Sequence, residues 1–392
     1  MADKNASIQK ADGHLKTHLN AILSVWRGGS SKNNLTAAER ASVSKALLHV
    51  QRGLTGDRSL AGNGYMQDED SLGAYLLYYW PVSYVQNWCA LWSAKSALSN
   101  LLQNRNGKVC ILDVGSGPAP ATFALCDMLT DLQKDVCVEA TLVDSSSKAL
   151  ALAKKLCDRQ FAKVSVKTKV CNLEKELETD SERYDIIIMS HALNELFTTS
   201  SKETEKKQQF VKSLASRLPE DGLLLICEPA LLKTSRNLIC VRDSLIAEGY
   251  RVAAPCPNGK VCPVLAENNH TCHAEIPWNA PESVASLAQE AGLDRQSVKM
   301  AYFVFSKNAD MTNTLRVTSD GMLNKSGRVR YLLCDGNKRI AFSAKKDDPA
   351  AKQQGFFDLQ RYDMVSIQNP QLRENNALGF DEQTKLSVDS QF

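Results

Sequence analysis

The segment Ile111-Leu112-Asp113-Val114-Gly115-Ser116-Gly117-Pro118-Ala119-Pro120 constrains this chain more than any other. A continuous apolar run enters it, two glycines turn it, and an amphipathic stretch leaves it. Glycine admits backbone angles and a close approach that a Cβ would block. A strand, glycine turn and helix in this order need a sheet behind them, with the turn at its carboxyl edge. That sheet is legible. Apolar runs at Val109–Val114, Glu139–Val143, Val164–Val170, Tyr184–Met189 and Leu223–Cys227 alternate with helical stretches at Pro120–Leu132, Ser147–Phe161 and Thr204–Arg217. The alternation predicts an α/β domain with a parallel sheet covered on both faces. A helix at Arg236–Glu248, a strand at Arg251–Ala254, a helix at Glu282–Ala291 and a strand at Met300–Ser306 extend it.

The turn also selects its ligand. Asp113 ends the first strand, and Asp144 ends the second. An acid at the second position accepts hydrogen bonds from ribose hydroxyls. A dinucleotide site needs a third glycine, which brings a pyrophosphate to the helix N-terminus. Here Pro118 and Pro120 stand where backbone donors would be wanted. A ligand without phosphates fits better. Asp-Val-Gly-Ser-Gly-Pro with a second-strand acid resembles the class I S-adenosylmethionine-dependent methyltransferases. The resemblance implies a Rossmann-like fold of that class. It places Gly115 and Gly117 at the methionine moiety, Asp144 at the ribose and Asn172 beside the adenine, with Asp113 also among the cofactor-binding residues.

The fourth strand runs into Met189-Ser190-His191-Ala192-Leu193-Asn194-Glu195. In methyltransferases this edge faces the transferred methyl, which makes His191, Asn194 and Glu195 the candidate catalytic residues. The Asn/Asp-Pro-Pro-aromatic motif of amino-methylating enzymes is absent. Cys227 precedes Glu228-Pro229 without the context of a cytosine-attacking nucleophile. His191 reads either as a general base or as a side chain packing the edge of the site.

Residues 1–104 read as a helical N-terminal region. Ser30–Asn34 is a polar loop, and Thr36 with Glu39 forms a capping box for a helix to about Gln51. Asp57–Asp70 is a Gly-rich acidic loop. Ala74–Leu102 carries Tyr75, Tyr78, Tyr79, Trp80, Tyr84, Trp88 and Trp92, with Pro81 dividing it. Those aromatics read as packing on the next domain, with base stacking as the alternative. Residues 105–306 are the Rossmann-like domain, interrupted by a Cys-rich insertion at 255–278. A small antiparallel β-module follows at 307–367, with strands at Thr314–Ser319, Arg328–Cys334 and Arg339–Ala344, and residues 368–392 read as a disordered tail.

The chain has 12 cysteines among its 392 residues, scattered through ordinary helix and strand patterns. That distribution points to a reducing compartment with free or metal-bound thiols. Cys256, Cys262 and Cys272 lie in a loop too poor in apolar residues to order itself by burial, and Cys334 lies in the β-module. Ligation would order the loop and pin it to the module. Thiolates select an iron–sulfur cluster or zinc. His270 and His273 keep a Cys3His zinc site open. The other eight cysteines read as small core residues. The net charge of +3 does not by itself demand nucleic acid. Between Lys307 and Lys346, however, nine basic residues stand against three acids, Arg316 among the basic ones. A basic β-surface tracks phosphates without reading sequence. The opening residues lack an apolar leader, and no stretch is long and apolar enough to span a membrane. A soluble intracellular protein is expected, in a bacterial-type cytoplasm or alternatively a mitochondrial matrix.

Taken together, the Ala74–Tyr84 aromatic segment, the glycine turn, Ser-His-Ala-Leu-Asn-Glu-Leu, Ile-Cys-Glu-Pro-Ala, the insertion Pro-Cys-Pro-Asn-Gly-Lys-Val-Cys-Pro and the strand to Cys334 resemble one family. It is the methyltransferase-like family associated with the small ribosomal subunit, known in bacteria and mitochondria, to which methyltransferase-like protein 17 belongs. The resemblance implies S-adenosylmethionine, a 4Fe–4S cluster on Cys256, Cys262, Cys272 and Cys334, and action on the small subunit and its 16S-type rRNA, as a monomer off the ribosome. It does not by itself imply methyl transfer. Relatives often carry Glu-Pro-Gly where this chain has Glu228-Pro229-Ala230.

Overall fold

The computed structural model describes residues 6–29, 34–56, 59–60, 64–175, 182–257, 259–310, 312 and 314–389. The N-terminal region contributes α1 (Ala6–Trp26), α2 (Ala37–Gln51), α3 (Glu69–Ala74), α4 (Trp80–Ser93) and α5 (Lys95–Gln103). The Thr36 box forms as its spacing predicts: the hydroxyl accepts from the Glu39 backbone, and the Glu39 carboxylate accepts from the Thr36 backbone. Arg27 then holds that same carboxylate at 2.7 Å. Between α3 and α4 the chain makes a π-helical turn, Tyr75–Tyr79, that runs straight into α4, and Pro81, with no N–H to give the carbonyls of the turn before it, stands just past the junction. The proline divides the aromatic run as the sequence suggests. The expected loop at Asp57–Asp70 is partly outside the described residues, as are four of the five in Ser30–Asn34; its far end is a short 3-10 turn at Tyr65–Gln67.

The Rossmann-like part runs β1 (Lys108–Val114), α6 (Pro120–Leu132), β2 (Cys137–Asp144), α7 (Ser147–Gln160), β3 (Val164–Val170), β4 (Ile186–Ser190), α8 (Glu203–Ala215), β5 (Leu223–Pro229) and α9 (Leu232–Ala247). It continues with β6 (Arg251–Ala254), β7 (Ala274–Pro277), α10 (Glu282–Glu290) and β8 (Ser297–Ser306). The sheet order is β3-β2-β1-β4-β5-β8-β6, with β7 also on β8. The first five strands are parallel. The expectation of a wholly parallel sheet needs one correction: β8 runs antiparallel to β5, β6 and β7. Chain direction does not show in a hydrophobic pattern, because a strand buried on both faces reads the same either way.

The aromatic run packs. Trp80, Tyr84 and Trp88 are buried in a core shared with α1 and α6. Tyr84 donates to Asp127 at 2.6 Å, and His18 from α1 meets the same carboxylate oxygen at 2.7 Å.

The C-terminal part builds a second sheet from β9 (Leu315–Val317), β10 (Met322–Leu323), β11 (Arg328–Cys334) and β12 (Arg339–Lys345), followed by α11 (Pro349–Gln353) and β13 (Met364–Gln368). Residues 368–392, expected to be disordered, instead add β14 (Gln371–Leu372), β15 (Leu378–Gly379) and β16 (Lys385–Asp389). Their polarity misled because the strands lie at the sheet's two margins, where one face is wet. A small core of Val317, Leu333, Phe342, Phe356 and Phe380 holds this sheet. Among the described residues no helix is long and apolar enough to cross a membrane.

Candidate functional site

The parallel strands β1, β2 and β4 end at one edge, and a cavity of about 710 Å³ opens there. Gly115 forms its floor at a φ of +70°. A Cβ built on Gly115 would lie 2.4 Å from the Cβ of Ala192, so no other residue fits. The Gly115 N–H donates to Val143, and the Gly117 N–H donates to the Asp144 carboxylate, at 2.8 Å each. A second Asp144 oxygen accepts from Ser146. Burial pushes the Asp144 carboxyl up, and these backbone donors pull against it.

Of the residues singled out by sequence, Gly115, Asp144, Asn172, His191, Asn194 and Glu195 line this one cavity. Gly117 and Asp113 are not on its wall. Gly117 acts through Asp144. Asp113 lies beneath the turn, accepting from Thr122 of α6 at 2.6 Å, and burial raises it to about 7. Its position ties β1 to α6 and shapes the turn from below.

His191 has a φ of +57°. Its Nε2 lies 2.8 Å from Oε1 of Gln86, whose amide nitrogen donates to the Lys299 carbonyl. Gln86 therefore presents its oxygen, and His191 carries its proton on Nε2, leaving Nδ1 as an acceptor. Burial lowers His191 to about 4, so it is neutral near pH 7. Asn194 donates to the His191 carbonyl, and its own N–H donates to Glu228 at 3.2 Å. Glu228 is 1% exposed, its Oε1 has no partner among the described residues, and burial raises it to about 8.

Sequence reasoning missed the N-terminal contribution to the cavity. Tyr65, Met66, Tyr75, Tyr79 and Gln86 line it. Met66 lies against Gly117, and its carbonyl accepts from the Ser146 hydroxyl. Trp80 donates from its indole to the Pro118 carbonyl at 2.9 Å. An aromatic run gives the same signal whether its rings fill a core or line a cavity. Only the π-helical turn separates the two here, because it changes which face each ring presents.

The four candidate cysteines draw near one another away from this cavity. Cys256 and Cys262 come from the loop after β6, Cys272 precedes β7, and Cys334 ends β11. Cys262 lies within electrostatic reach of Cys256 and Cys272, and Cys334 within reach of the same two. The loop is tied down by α9: Arg242 donates to the Lys260 carbonyl, and Asp243 accepts from the Cys262 N–H. Burial pushes the Cys256 thiol up, but the guanidinia of Arg242 and Arg316 overcome it, so the net direction is down. Among the described residues no group of three or more His, Cys, Asp or Glu side chains is placed to hold a metal ion. His270 pairs with Glu267 at 2.8 Å, and the strongest charges around His273 are Arg361, Glu275 and Lys299.

Residues 69–350 match the sequence pattern of the mitochondrial small ribosomal subunit Rsm22 family. The chain belongs to that family. No curated protein matches it. Among solved structures, a protein described as a class I S-adenosylmethionine-dependent methyltransferase from Listeria monocytogenes is 15% identical, with 78% of this chain and 89% of that one covered and a TM-score of 0.36. The ribosomal protein L11 methylase of Lactobacillus delbrueckii subsp. bulgaricus is 11% identical over 54% of this chain and 76% of that one, with a TM-score of 0.28. At these identities and scores no chemistry transfers from either protein. The strand order and the glycine turn of the Rsm22-family chain itself define its class I methyltransferase-like fold.

Proposed function

We propose that this chain is a methyltransferase-like factor of the small ribosomal subunit that binds S-adenosylmethionine in the cavity above Gly115 and carries a 4Fe–4S cluster on Cys256, Cys262, Cys272 and Cys334. The observation that carries the cofactor reading is the cavity at the carboxyl edge of the parallel strands, lined by Gly115, Asp144, Ser146 and Asn172. Asp144 keeps acceptor capacity for a ribose hydroxyl beyond the backbone donors of Gly117, Ser145 and Ser146, and Asn172 lines the same cavity, where the reading puts the adenine. The family description supports the small subunit and, with it, the mitochondrial alternative for location. The exposed Lys325, Arg330, Lys338, Lys345 and Lys346 of the C-terminal sheet support contact with rRNA phosphates.

The cysteine set fits a cluster by its chemistry. Four thiols from two parts of the fold stand beside two buried guanidinia, and buried cations call for anionic partners. Cys256, Cys262, Cys272 and Cys334 would hold the group, which would brace the insertion against the C-terminal sheet when bound. Of the two histidines that a Cys3His zinc site could use, His270 is paired with Glu267, whereas His273 Nδ1 is buried without a hydrogen-bond partner among the described residues and keeps that alternative open.

A second reading, methyl transfer to an RNA base, draws on the extension of the cavity past the glycine turn to Tyr79, Arg295 and Lys299. In that reading His191 Nδ1 accepts a hydrogen bond from the substrate, and Asn194 and Glu195 position it. Calorimetric titration of S-adenosylmethionine into wild type and Gly115→Ala tests the cofactor site. Binding by the wild type alone is expected, and no binding by either would overturn the reading. Anaerobic purification with iron and sulfide analysis of wild type and Cys262→Ser tests the cluster, which the variant should lose.

A further inference from the structure

Arg316 stands in β9 among the residues that the sequence assigns to an RNA-facing basic surface. It does not face solvent: the side chain is 1% exposed. Register pairs it with Cys334 on β11 and with Met364 on β13. Its guanidinium lies over the Tyr362 ring, 4.5 Å from the centroid, and near enough to Cys256 to pull that thiol's pKa down. The groups acting most strongly on its charge are Cys256, Cys272, Tyr362 and Cys334, three thiols and a phenol. Nε and Nη1 have no hydrogen-bond partner among the described residues. The neighbouring buried arginine differs. Arg242 is salt-bridged to Asp243 and donates to a carbonyl.

A buried cation without a counter-charge is costly, and natural proteins pair it. Four neutral thiols leave Arg316 unmatched. Four thiolates around a metal centre carry net negative charge and match it. Two more polar groups meet the same sulfurs: the Gly336 N–H donates to Cys334 at 3.3 Å, and the Tyr362 hydroxyl shares a 3.5 Å hydrogen bond with Cys272 in which either can donate. Net charge and hydrogen bonds to ligating sulfur are what set the stability and potential of such centres. We infer that Arg316 is the built-in counter-ion of the four-cysteine centre, the residue that makes the site retain an anionic, thiolate-held group and raises the potential at which that group is reduced. The inference rests on the cluster reading above.

The experiment compares wild type, Arg316→Leu and Arg316→Lys, each purified anaerobically and each also stripped with chelator. Iron and acid-labile sulfide, the midpoint potential and the melting temperature are measured. Arg316→Leu should lose iron roughly 10–100-fold more readily and shift the potential downward. It should melt lower than wild type when loaded, yet equal to or above wild type when stripped, because stripping leaves the native arginine buried without a counter-charge. Arg316→Lys should restore most of the iron. Equal melting losses in both forms, or iron and potential unchanged in Arg316→Leu, would show a packing residue and overturn the inference while the cluster stands. A wild type without iron or sulfide would overturn the cluster reading and the inference with it.

Discussion

Two buried carboxyls show how much environment adds to residue identity. Asp113 and Glu228 end neighbouring parts of the same sheet, and each is driven up by burial, to about 7 and about 8. For Glu228 the folded value lies above that of the unfolded chain. Folding is therefore undisturbed by this group below about pH 4.5, and stability falls as pH rises toward 8. Lys207 and Glu195 face it with opposite signs, and Asn194 stabilises its charged form through both backbone and side chain. Glu228→Gln keeps the shape without the charge. It should raise the melting temperature at pH 9 and leave it nearly unchanged at pH 5, with a difference of a few kcal/mol, or about that order. Thermal melts at the two pH values decide this, and equal shifts at both would rule out a buried titrating carboxyl. Gly115→Ala acts differently. Its Cβ would meet Ala192 at 2.4 Å in a left-handed backbone, at a strain of about 1–3 kcal/mol. Calorimetry should record lost cofactor binding with a smaller loss of stability.

At the scale of elements, the N-terminal helices hold the glycine turn from outside the Rossmann sheet. The Trp80 indole of α4 anchors Pro118, and the 3-10 turn at Tyr65–Gln67 lies over Gly117. Trp80→Phe removes one buried hydrogen bond and keeps the ring. A net bond of this kind contributes about 1 kcal/mol. S-adenosylmethionine affinity should fall roughly fivefold, read by titration, and an unchanged affinity would mean that the turn holds its shape without α4. Thr36→Ala is the contrasting case. It breaks the α2 capping box far from the cavity, so chemical denaturation should show a loss of about 1 kcal/mol with affinity unaltered. The helices themselves were legible because caps and prolines are local signals. The antiparallel course of β8 and the strands after Gln368 were not, because direction and edge position are settled by pairing.

On the scale of the whole molecule, the exposed basic residues, Arg316 and Cys334 belong to the same C-terminal sheet but face different surroundings. Lys325, Arg330, Lys338 and Lys345 are exposed, whereas Arg316 is interior. Replacing the four exposed residues with glutamine should weaken small-subunit RNA binding and reduce its log–log salt slope by about 3. Filter binding across a salt series reads this, and an unchanged slope would place the RNA contact elsewhere. Cysteine loading should be unaffected, since none of the four is among the groups that act on the thiols.

The sequence by itself determined the alternating strands and helices, the glycine turn with its second-strand acid, the Thr36 cap and the family, because each is written in local pattern or spacing. Tertiary structure decided which of those residues reach the cavity. It withdrew Asp113 and Gly117 behind the wall, brought in Gln86 and Tyr79 from a region read as packing, and turned Arg316 inward to the thiols. The physical reason is that burial and electrostatic company are properties of the folded surroundings. A carboxylate or guanidinium has the same letter in the chain whether water or a thiol lies beside it.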